Sequence, residues 1–368
     1  MKTAATDIRY MTRALRLAAR GRERTSPNPM VGAVVVCRGR VVGEGFHLRA
    51  GSPHAEVLAL QAAGPQARGG TLYLTLEPCS HTRKRTPPCV PAILASGIRR
   101  VVVAMRDPNP QVNGEGIRKL KRAGLSVSVG CLEQQAEQLN DSYTHRMRTG
   151  RPMVVLKMAM TLDGKTATSS GESQWITGPA ARRHAHQLRT QVDAIMVGIN
   201  TVLTDDPQLT IRLGHPITRQ PLRVIMDSSL RIPTTARVLS PRLRRGTLIA
   251  TTRHAPRARL ARFRREGISV LVLPMEKGRV SLRACLAQLA RRGVNRLLIE
   301  GGSELAASAL QAGVVNRLRL YIAPRLLGGT DARGVIGGVC PSRLAHAFAL
   351  SSLSVKKIGP DLLIEGML

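Results

Sequence analysis

Apolar and polar stretches alternate along the first half of the chain in a way that predicts strands and helices in turn. The first apolar residues recur at helical spacing, which predicts a helix from Asp7, as its N-cap, to Gly21. Its predicted buried face holds Ile8, Met11, Leu15 and Ala18. Continuous apolar runs predict strands at 31–36, 41–43, 71–76 and 100–105, and the predicted helices between them cover 54–63, 88–96 and 116–122. Such alternation predicts a sheet with helices on both faces.

A second domain is predicted to begin near residue 149. The helical stretch from Glu133 to Met147 is closed by Gly150 and Pro152, which together end a helix. The predicted domains are therefore 1–148 and 149–368. In the second, apolar runs predict strands at 153–158, 194–198, 297–299, 351–358 and 361–366, and helices at 179–190 and 304–311. The arginine-rich segment 242–265 is predicted to be a solvated surface with helical character.

One set of side chains in the first half combines zinc ligands with a proton-transfer group. Glu56 follows His54 by two residues, and Cys79 and Cys89 each follow a proline. One imidazole and two thiolates leave the fourth tetrahedral position of Zn²⁺ to water, as in catalytic sites. At the start of a helix, the side chains of His54 and Glu56 point about 200° apart around the helix axis. Glu56 is therefore predicted to move protons and not to bind the ion. Each residue alone is more often a surface or packing residue, and their combination favours a zinc-dependent deaminase.

Length and composition place this chemistry in a two-domain globular protein. The chain has 368 residues, of which 43% are hydrophobic, enough for two separate cores. It contains no run of eighteen apolar residues and begins without the apolar segment of a signal peptide. These features predict a cytoplasmic protein, and in a reducing compartment two of its six cysteines serve better as metal ligands than in disulfides.

The net charge of +33 is unusually high, and both halves of the chain are basic. Such a field attracts phosphorylated ligands and nucleic acid. The aromatic content of only 2% argues against a single-strand binder, which needs stacking groups. A general drift of composition toward arginine explains the charge equally well.

Several motifs in the first half resemble one enzyme family. They are Thr25–Gly32, His54–Glu56, Glu77–His81, Arg85–Cys89 and Asp107–Pro110. They are similar to the bacterial bifunctional deaminase/reductase of riboflavin biosynthesis. The resemblance implies a cytidine-deaminase-like three-layer domain that binds Zn²⁺ and acts on a diaminopyrimidinone carrying a ribose phosphate. Asn28, held between two prolines, either reads the pyrimidine edge or serves the turn.

The chain departs from this family in the loop between the two cysteines. Thr82, Arg83 and Lys84 separate His81 from Arg85, which is one residue more than the family pattern, and the family's glycine is missing. A protein whose altered 82–85 loop has lost the zinc site, leaving only a reductase, is therefore one alternative. A second is a nucleic-acid deaminase acting on tRNA, suggested by the zinc motif and the charge, although it leaves residues 153–330 unexplained.

The second half is similar to the reductase domain of the same family. The resemblance implies a dihydrofolate-reductase-like α/β fold that uses NADPH to reduce the ribosyl group to a ribityl group. It places NADPH contacts at Ala159, Trp175, Thr201, Asp205, Ser228, Gly302, Ser303, Glu304, Leu305, Ala306, Ala307 and Ser308. It places substrate contacts at Ser173, Arg189, Leu209, Arg212 and Glu300. It also implies pairing of two chains through their reductase domains.

Some of these assignments have a simpler alternative. Trp175, the only tryptophan, either stacks on the nicotinamide or packs in the core. Arg189 either binds phosphate or lies on a solvated helix face, since Arg182 and Arg183 share its helix. The glycine pair before residue 303 either exposes backbone N–H groups to a phosphate or allows close packing of helix on strand.

Overall fold

The computed structural model describes residues 5–80, 86–214, 216–217 and 219–368. The chain divides into two compact units, Met1–Gly150 and Arg151–Leu368. The altered loop at 82–85 lies outside the described residues. Among the helices that are described, none is both long enough and apolar enough to cross a membrane.

The first unit is a five-stranded sheet between two layers of helices. Its strands are β1 (Gly32–Cys37), β2 (Arg40–Phe46), β3 (Thr71–Leu76), β4 (Arg100–Met105) and β5 (Ser126–Val129). Its helices are α1 (Ala5–Ala19), α2 (Ala55–Ala63), α3 (Cys89–Ala95), α4 (Glu115–Arg122), α5 (Glu133–Leu139) and α6 (Asp141–Thr149), with a 3₁₀ turn at Gly64–Ala67. Helices α2, α3 and α4 cover one face of the sheet, and α1 and α5 cover the other.

The strand directions bring four separate segments to one edge of this sheet. The strand order is β2-β1-β3-β4-β5, in which β1 runs antiparallel to β2 and β3 while β3, β4 and β5 are parallel. The start of β1 and the ends of β2, β3 and β4 therefore meet at one edge. The segments next to these strand ends carry the residues of the candidate site.

Small residues fix helix α2 closely on strand β2. A Cβ added at Gly43 would lie 2.2 Å from the carbonyl oxygen of Ala59, and one at Gly45 would lie 2.3 Å from that of Ala55. No larger residue fits at either position without moving backbone atoms. This close packing determines where the N-terminus of α2, and with it His54, lies at the sheet edge.

The second unit contains a nine-stranded sheet and two small two-stranded sheets, which make thirteen described strands in all. Its strands are β6 (Met153–Thr161), β7 (Lys165–Ala167), β8 (Ala194–Gly198), β9 (Leu222–Met226), β10 (Thr247–Thr251), β11 (Ser269–Val272), β12 (Met275–Glu276), β13 (Arg279–Val280), β14 (Arg296–Glu300), β15 (Arg317–Ala323), β16 (Arg333–Gly334), β17 (Ser351–Ile358) and β18 (Asp361–Met367). The two small sheets are β12-β13 and β16-β7. Its helices are α7 (Pro179–Thr190), α8 (Ile199–Asp205), α9 (Arg257–Arg265), α10 (Leu282–Arg291) and α11 (Ser303–Gln311), with 3₁₀ turns at Arg237–Leu239, Arg244–Gly246 and Leu344–His346.

The large sheet has the order β11-β10-β9-β8-β14-β6-β15-β18-β17, and the first seven of these strands are parallel. Strands β18 and β17 add an antiparallel edge. Helices α10 and α11 pack on one face of the sheet, while α7 and α9 pack on the other. The parallel strands end at a common edge, where ligands bind in open α/β sheets.

Three predictions about local structure are wrong. Asp7 lies inside helix α1 and is buried, so it is not the N-cap, and Ile8 is 42% exposed. The predicted helix 133–147 is two helices separated at Asn140, whose side-chain amide bonds both the N–H and the carbonyl of Met30. The segment 242–265 contains the buried strand β10 as well as helix α9. Tertiary contacts outweigh local sequence preference in each case.

The buried Asp7 carboxylate joins helix α1 to the sheet. It accepts hydrogen bonds from both terminal guanidinium nitrogens of Arg100 at 2.9 and 2.7 Å and from the Tyr73 hydroxyl at 2.9 Å. The hydrogen bonds from Arg100 hold the pKa of Asp7 below its usual value despite the opposing effect of burial. The stabilisation is therefore present above the unfolded-state pKa of about 3.9 and is lost as pH falls through the lower folded-state pKa.

Replacing this carboxylate should destabilise the first unit selectively. For Asp7→Asn we expect a loss of about 1–3 kcal/mol near neutral pH, because Arg100 is partly solvated and the pair is not fully buried. Hydrogen exchange of the β3 amides should accelerate at least about fivefold. The difference from the parent protein should shrink below about pH 4. Glu137→Gln, which removes an exposed partner of Arg148, is the matched control, and equal exchange rates in both variants would contradict this prediction.

Candidate functional site

The predicted metal ligands converge at the edge of the first sheet. The Sγ atoms of Cys79 and Cys89 lie 3.3 Å apart, and the Nδ1 atom of His54 lies 3.5 Å from the first and 3.1 Å from the second. Both cysteines are buried. The backbone N–H groups of Cys89 and Val90 donate to the Cys79 carbonyl at 3.0 and 3.3 Å, so helix α3 begins against the segment that follows β3.

This donor set fits a tetrahedral zinc ion. Zinc bonds of about 2.3 Å to sulfur and about 2.0 Å to nitrogen place the sulfurs about 3.8 Å apart and sulfur and nitrogen about 3.6 Å apart. The separations in the structure are within about half an ångström of these values. The Thr86 hydroxyl lies 3.1 Å from the Nε2 atom of His54. It can hold the imidazole in the orientation that presents Nδ1 to the metal.

Glu56 is buried beside the three ligands. Its carboxylate and the ligand atoms of His54, Cys79 and Cys89 all lie within 4.8 Å of one another. Burial raises the pKa of Glu56, and its Oε2 atom is buried with no hydrogen-bond partner among the described residues. A buried carboxyl oxygen with no partner in the fold is available to a ligand or a reacting water.

The metal centre opens into a cavity of about 530 Å³. The predicted substrate residue Asn28 lines it, and its side-chain amide lies 3.1 Å from the Nε2 atom of His47. The Nδ1 atom of His47 lies 3.3 Å from the Pro53 carbonyl, and burial lowers the pKa of this histidine. If Nδ1 donates to that carbonyl, Nε2 accepts from Asn28, which orients the amide.

One wall of this cavity depends on the carboxylate of Glu77. Its two oxygens accept hydrogen bonds from the backbone N–H groups of Asp107, Gly114, Gly116 and Ile117 at 2.9–3.3 Å. Glu77 is buried, and the segment it holds contributes Asp107 and Asn109 to the cavity. The Tyr143 hydroxyl donates to Asp107 at 2.9 Å, while burial raises the pKa of that carboxyl to about 6.

The second unit has a cleft of about 540 Å³ lined by several charged groups. Glu300 ends β14 and stands opposite Lys157 on the parallel strand β6. Arg189 on α7 donates to both Glu300 oxygens at 2.9 and 2.6 Å and to the Thr210 carbonyl at 2.7 Å. The Arg189 side chain is paired with Glu300 and only 14% exposed, so the alternative of a solvated helix face is wrong. Desolvation lowers the pKa of Lys157, although the Glu300 carboxylate opposes this effect.

Other predicted residues of this cleft have distinct environments. Trp175 lines the cleft, is 59% exposed and lies under the guanidinium of Arg182 at 4.6 Å, so the core-packing alternative is wrong. Arg212 also lines the cleft. The Leu209 side chain is buried in the core, so only its backbone can reach a ligand. The Ser173 side chain bonds the Asp205 carboxyl, whose pKa is raised by burial.

A separate cleft of about 490 Å³, here called the β8–β9 cleft, lies at the ends of β8, β9 and β14. Its lining includes the predicted residues Thr201, Ser228, Gly302, Glu304, Leu305 and Ser308. Gly301 and Gly302 have φ values of 69° and 80°, which favour glycine, and a Cβ at Gly302 would lie 3.3 Å from the Thr201 hydroxyl. Of the other predicted contacts, Ala306 and Ala307 are buried in α11, Ser303 begins that helix, and Ala159 packs beside Tyr321.

Comparison with known proteins identifies both units. Residues 4–105 match the cytidine and deoxycytidylate deaminase zinc-binding region, and residues 152–364 match the RibD C-terminal domain. The riboflavin biosynthesis protein RibD of Escherichia coli is 45% identical over 370 residues, covering 98% of each chain. This chain belongs to the RibD family. RibD of Aquifex aeolicus is 42% identical and covers 97% of each chain.

Solved structures of RibD proteins have the same fold over nearly the whole chain. Acinetobacter baumannii RibD superposes with a TM-score of 0.89 at 39% identity and 98% coverage of both chains. A Thermotoga maritima protein, described as a diaminohydroxyphosphoribosylaminopyrimidine deaminase/5-amino-6-(5-phosphoribosylamino)uracil reductase, gives 0.84 at 34% identity and 98% coverage. As a RibD protein, this chain is a bifunctional deaminase and reductase of riboflavin biosynthesis.

Several residues of the two RibD sites were missed by sequence reasoning. They are His47, Glu77, Asp107, Asn109 and Tyr143 in the first unit and Lys157, Arg182, His186 and Tyr321 in the second. Asp107 and Asn109 lie in a motif that was interpreted only as a turn and a family resemblance. A lysine within an apolar strand, as at position 157, is a signal that was available, because buried lysines are rare without a partner.

Glu77→Gln should impair deamination by loosening the cavity wall. The amide would place an NH₂ group against backbone N–H groups. These N–H groups now donate four hydrogen bonds to the two carboxylate oxygens. We expect kcat/KM for deamination to fall at least about tenfold, mainly through KM, because leaving one buried donor unpaired costs about 1–3 kcal/mol. Zinc content and reductase activity should not change. Glu115→Gln, which affects only exposed ion pairs in α4, is the control, and an unchanged KM in Glu77→Gln would contradict the prediction.

Proposed function

We propose that the first unit deaminates a diaminopyrimidinone carrying a ribose phosphate, and that the second unit reduces the deaminated product with NADPH to a ribitylaminouracil phosphate. The observation that carries the first step is the convergence of His54, Cys79, Cys89 and Glu56 within 4.8 Å at the base of a cavity. The donor set and the orphaned Glu56 oxygen support a resident zinc ion. The Thermotoga maritima relative is named for both of these activities.

His54, Cys79 and Cys89 would hold the zinc ion in the deaminase unit. The bound metal supplies Lewis acidity and lowers the pKa of a water molecule toward neutrality. Contact with Cys79 and then burial raise the pKa of the Cys89 thiol, so a neighbouring cation would favour its thiolate form. A divalent ion supplies this charge.

Glu56 is the proton carrier of this step. Its buried carboxylate has a raised pKa, which suits a group that carries two protons in succession. The first would pass from the attacking water to the ring nitrogen, and the second from the newly added hydroxyl to the departing amine. Asn28, oriented by His47, is placed to bond the pyrimidine edge. The wall held by Glu77 contributes Asp107 and Asn109 to the same cavity, so substrate orientation also depends on groups other than the metal ligands.

In the reductase unit, Glu300 would bond the N–H groups of the pyrimidine and Arg212 the phosphate. Glu300 is held rigidly by the two-pronged contact with Arg189, and such preorganisation lowers the entropy cost of binding. Arg189 therefore acts mainly through Glu300. Bound NADPH would supply the hydride to the ribosyl C1 atom. Trp175 is exposed over the cleft, where it can stack on the nicotinamide.

We assign the proton donor of the reduction to Lys157. When hydride reaches C1, the bond between C1 and the ring oxygen breaks, and that oxygen needs a proton. Lys157 lies in the cleft opposite Glu300, and desolvation lowers its pKa. A lowered pKa makes the ammonium a stronger acid, which favours transfer to a developing alkoxide.

Neither alternative function gains support. The Sγ atoms of Cys79 and Cys89 lie 3.3 Å apart, which argues against loss of the zinc site through the altered loop. A tRNA deaminase leaves the Arg151–Leu368 unit without a role. A cytoplasmic location is part of the proposal, because two thiolate ligands and six cysteines that form no disulfide in the described structure suit a reducing compartment. Pairing of two chains is also proposed, supported by the exposed edge strand β17 with Leu353 and Val355 at its surface.

Glu56→Gln should abolish deamination while sparing the second activity. The amide keeps the shape of the side chain but cannot accept a proton, so we expect kcat for ammonia release to fall about 10²–10⁴-fold. NADPH oxidation on the deaminated substrate by the same protein serves as the internal control. Ammonia release within about tenfold of the parent rate, with zinc still bound, would remove Glu56 from this role.

Lys157→Met should impair reduction and leave deamination intact. We expect kcat for NADPH oxidation to fall about 10²-fold or more, because the leaving oxygen loses its proton donor. In the parent protein, kcat should decline as pH rises through a midpoint below the value of about 10.4 of an ordinary lysine, since only the protonated form donates. Lys356→Met, which removes an exposed partner of Glu365, is the control. A Lys157→Met variant with the parent pH profile would contradict the assignment.

A further inference from the structure

Two arginines at the β8–β9 cleft have no part in the hydride or proton transfer described above. Arg231 follows strand β9, and Arg279 lies on the short strand β13. Both line the cleft together with Ser228 and Ser229. Two guanidinium groups beside two serine hydroxyls form a donor-rich set that suits a phosphate group.

The loop that carries Arg231 is held in one shape by buried contacts. The Asp227 carboxylate accepts from the N–H of Ile232 at 2.8 Å, and the Asp227 carbonyl accepts from the N–H of Leu230 at 3.2 Å. Leu230 is fully buried although its φ of 57° lies in the left-handed region. Such a conformation persists only where the surroundings enforce it. Arg231 therefore projects from a rigid loop.

Arg279 is tied to the same loop from the other side. The N–H of Val280 donates to the Ser228 hydroxyl oxygen at 3.0 Å. The Ser228 carbonyl is held in turn by the Thr252 hydroxyl at 2.8 Å. The exposed guanidinium of Arg279 pairs with the exposed carboxylate of Glu304 at 2.8 Å and lies 3.4 Å from the Ser308 hydroxyl, both on helix α11. Strand β13, the loop after β9 and helix α11 thus meet around Ser228.

The charges at this end of the cleft are unbalanced. Arg231 donates one hydrogen bond, at 2.9 Å to the Asn200 side chain, and has no carboxylate partner among the residues that the structure describes. Among the described residues that line the cleft, Glu304 carries the negative charge and Arg231 and Arg279 carry positive charges. Two guanidinium groups therefore face one carboxylate. An additional phosphate would correct this imbalance, whereas a hydroxyl in its place would not.

We propose that Arg231 and Arg279 bind the 2′-phosphate of the dinucleotide and thereby select NADPH over NADH. This inference rests on the proposed nucleotide site and adds the groups that determine its specificity. NADH has a hydroxyl where NADPH has this phosphate, and a site built for a charged group rejects a ligand that lacks it. Ser228, which links the loop to β13, positions the two arginines.

Equilibrium binding to the full-length protein tests this inference without turnover. Two probes that differ only in the phosphate, adenosine 2′,5′-bisphosphate and adenosine 5′-monophosphate, are titrated by calorimetry. For a variant with both Arg231→Gln and Arg279→Gln, we expect Kd for the bisphosphate to rise at least about tenfold while Kd for the monophosphate changes less than about twofold. NADPH and NADH should show the same pattern. Arg257→Gln, on the exposed surface of α9, is the control.

Each other outcome overturns the inference in a recognisable way. A double variant that keeps the parent preference for the bisphosphate shows that the arginines do not bind this phosphate. An equal rise in Kd for both probes shows that the arginines bind the shared 5′-phosphate or support folding. If the parent protein binds both probes equally, the specificity claim fails while the nucleotide site stands. If the parent binds neither, the proposed nucleotide site fails as well.

Discussion

Two backbone hydrogen bonds to one carbonyl oxygen hold the metal centre together. The N–H groups of Cys89 and Val90 both donate to the Cys79 carbonyl, which fixes the start of α3 against the segment after β3. The two sulfur atoms therefore meet whatever path the intervening residues take. This contact explains how an inserted residue between the cysteines is compatible with an intact ligand set. His54 reaches the same point because the glycines of β2 let α2 lie directly on the sheet.

Both units place their chemistry where strands end, and both use buried charge. In the first unit, the carboxylate of Glu77 accepts hydrogen bonds from backbone N–H groups, and that arrangement shapes one wall of the cavity at the metal centre. In the second, the Glu300 carboxylate is paired with Arg189 and lies near Lys157. Burial strengthens each of these interactions and makes loss of one partner costly. Rigid sites follow from this, since movement of Glu77 or Glu300 would leave buried donors without their partners.

The sequence predicted those features whose signal is local. His54, Glu56 and the two proline-cysteine pairs identify a metal site by residue type and spacing, and strands such as 100–105 were evident from continuous apolar runs. Residues that reach a site only through tertiary packing, such as Tyr143 on helix α6, have no local pattern around them. The strand at 247–251 was missed because flanking arginines obscured a short apolar run that is buried on both faces. The ion pair between Arg189 and Glu300 joins residues 111 positions apart, which no local periodicity can reveal.

The most direct test of this account is zinc X-ray absorption spectroscopy on the full-length protein. We predict one zinc ion per chain with two sulfur atoms at about 2.3 Å and two lighter atoms, nitrogen or oxygen, at about 2.0–2.1 Å. In a Cys89→Ser variant the sulfur count should fall to one. A shell of four sulfurs, a shell without sulfur, or protein purified with adequate zinc that retains none would contradict the claim that His54, Cys79 and Cys89 form a catalytic metal centre.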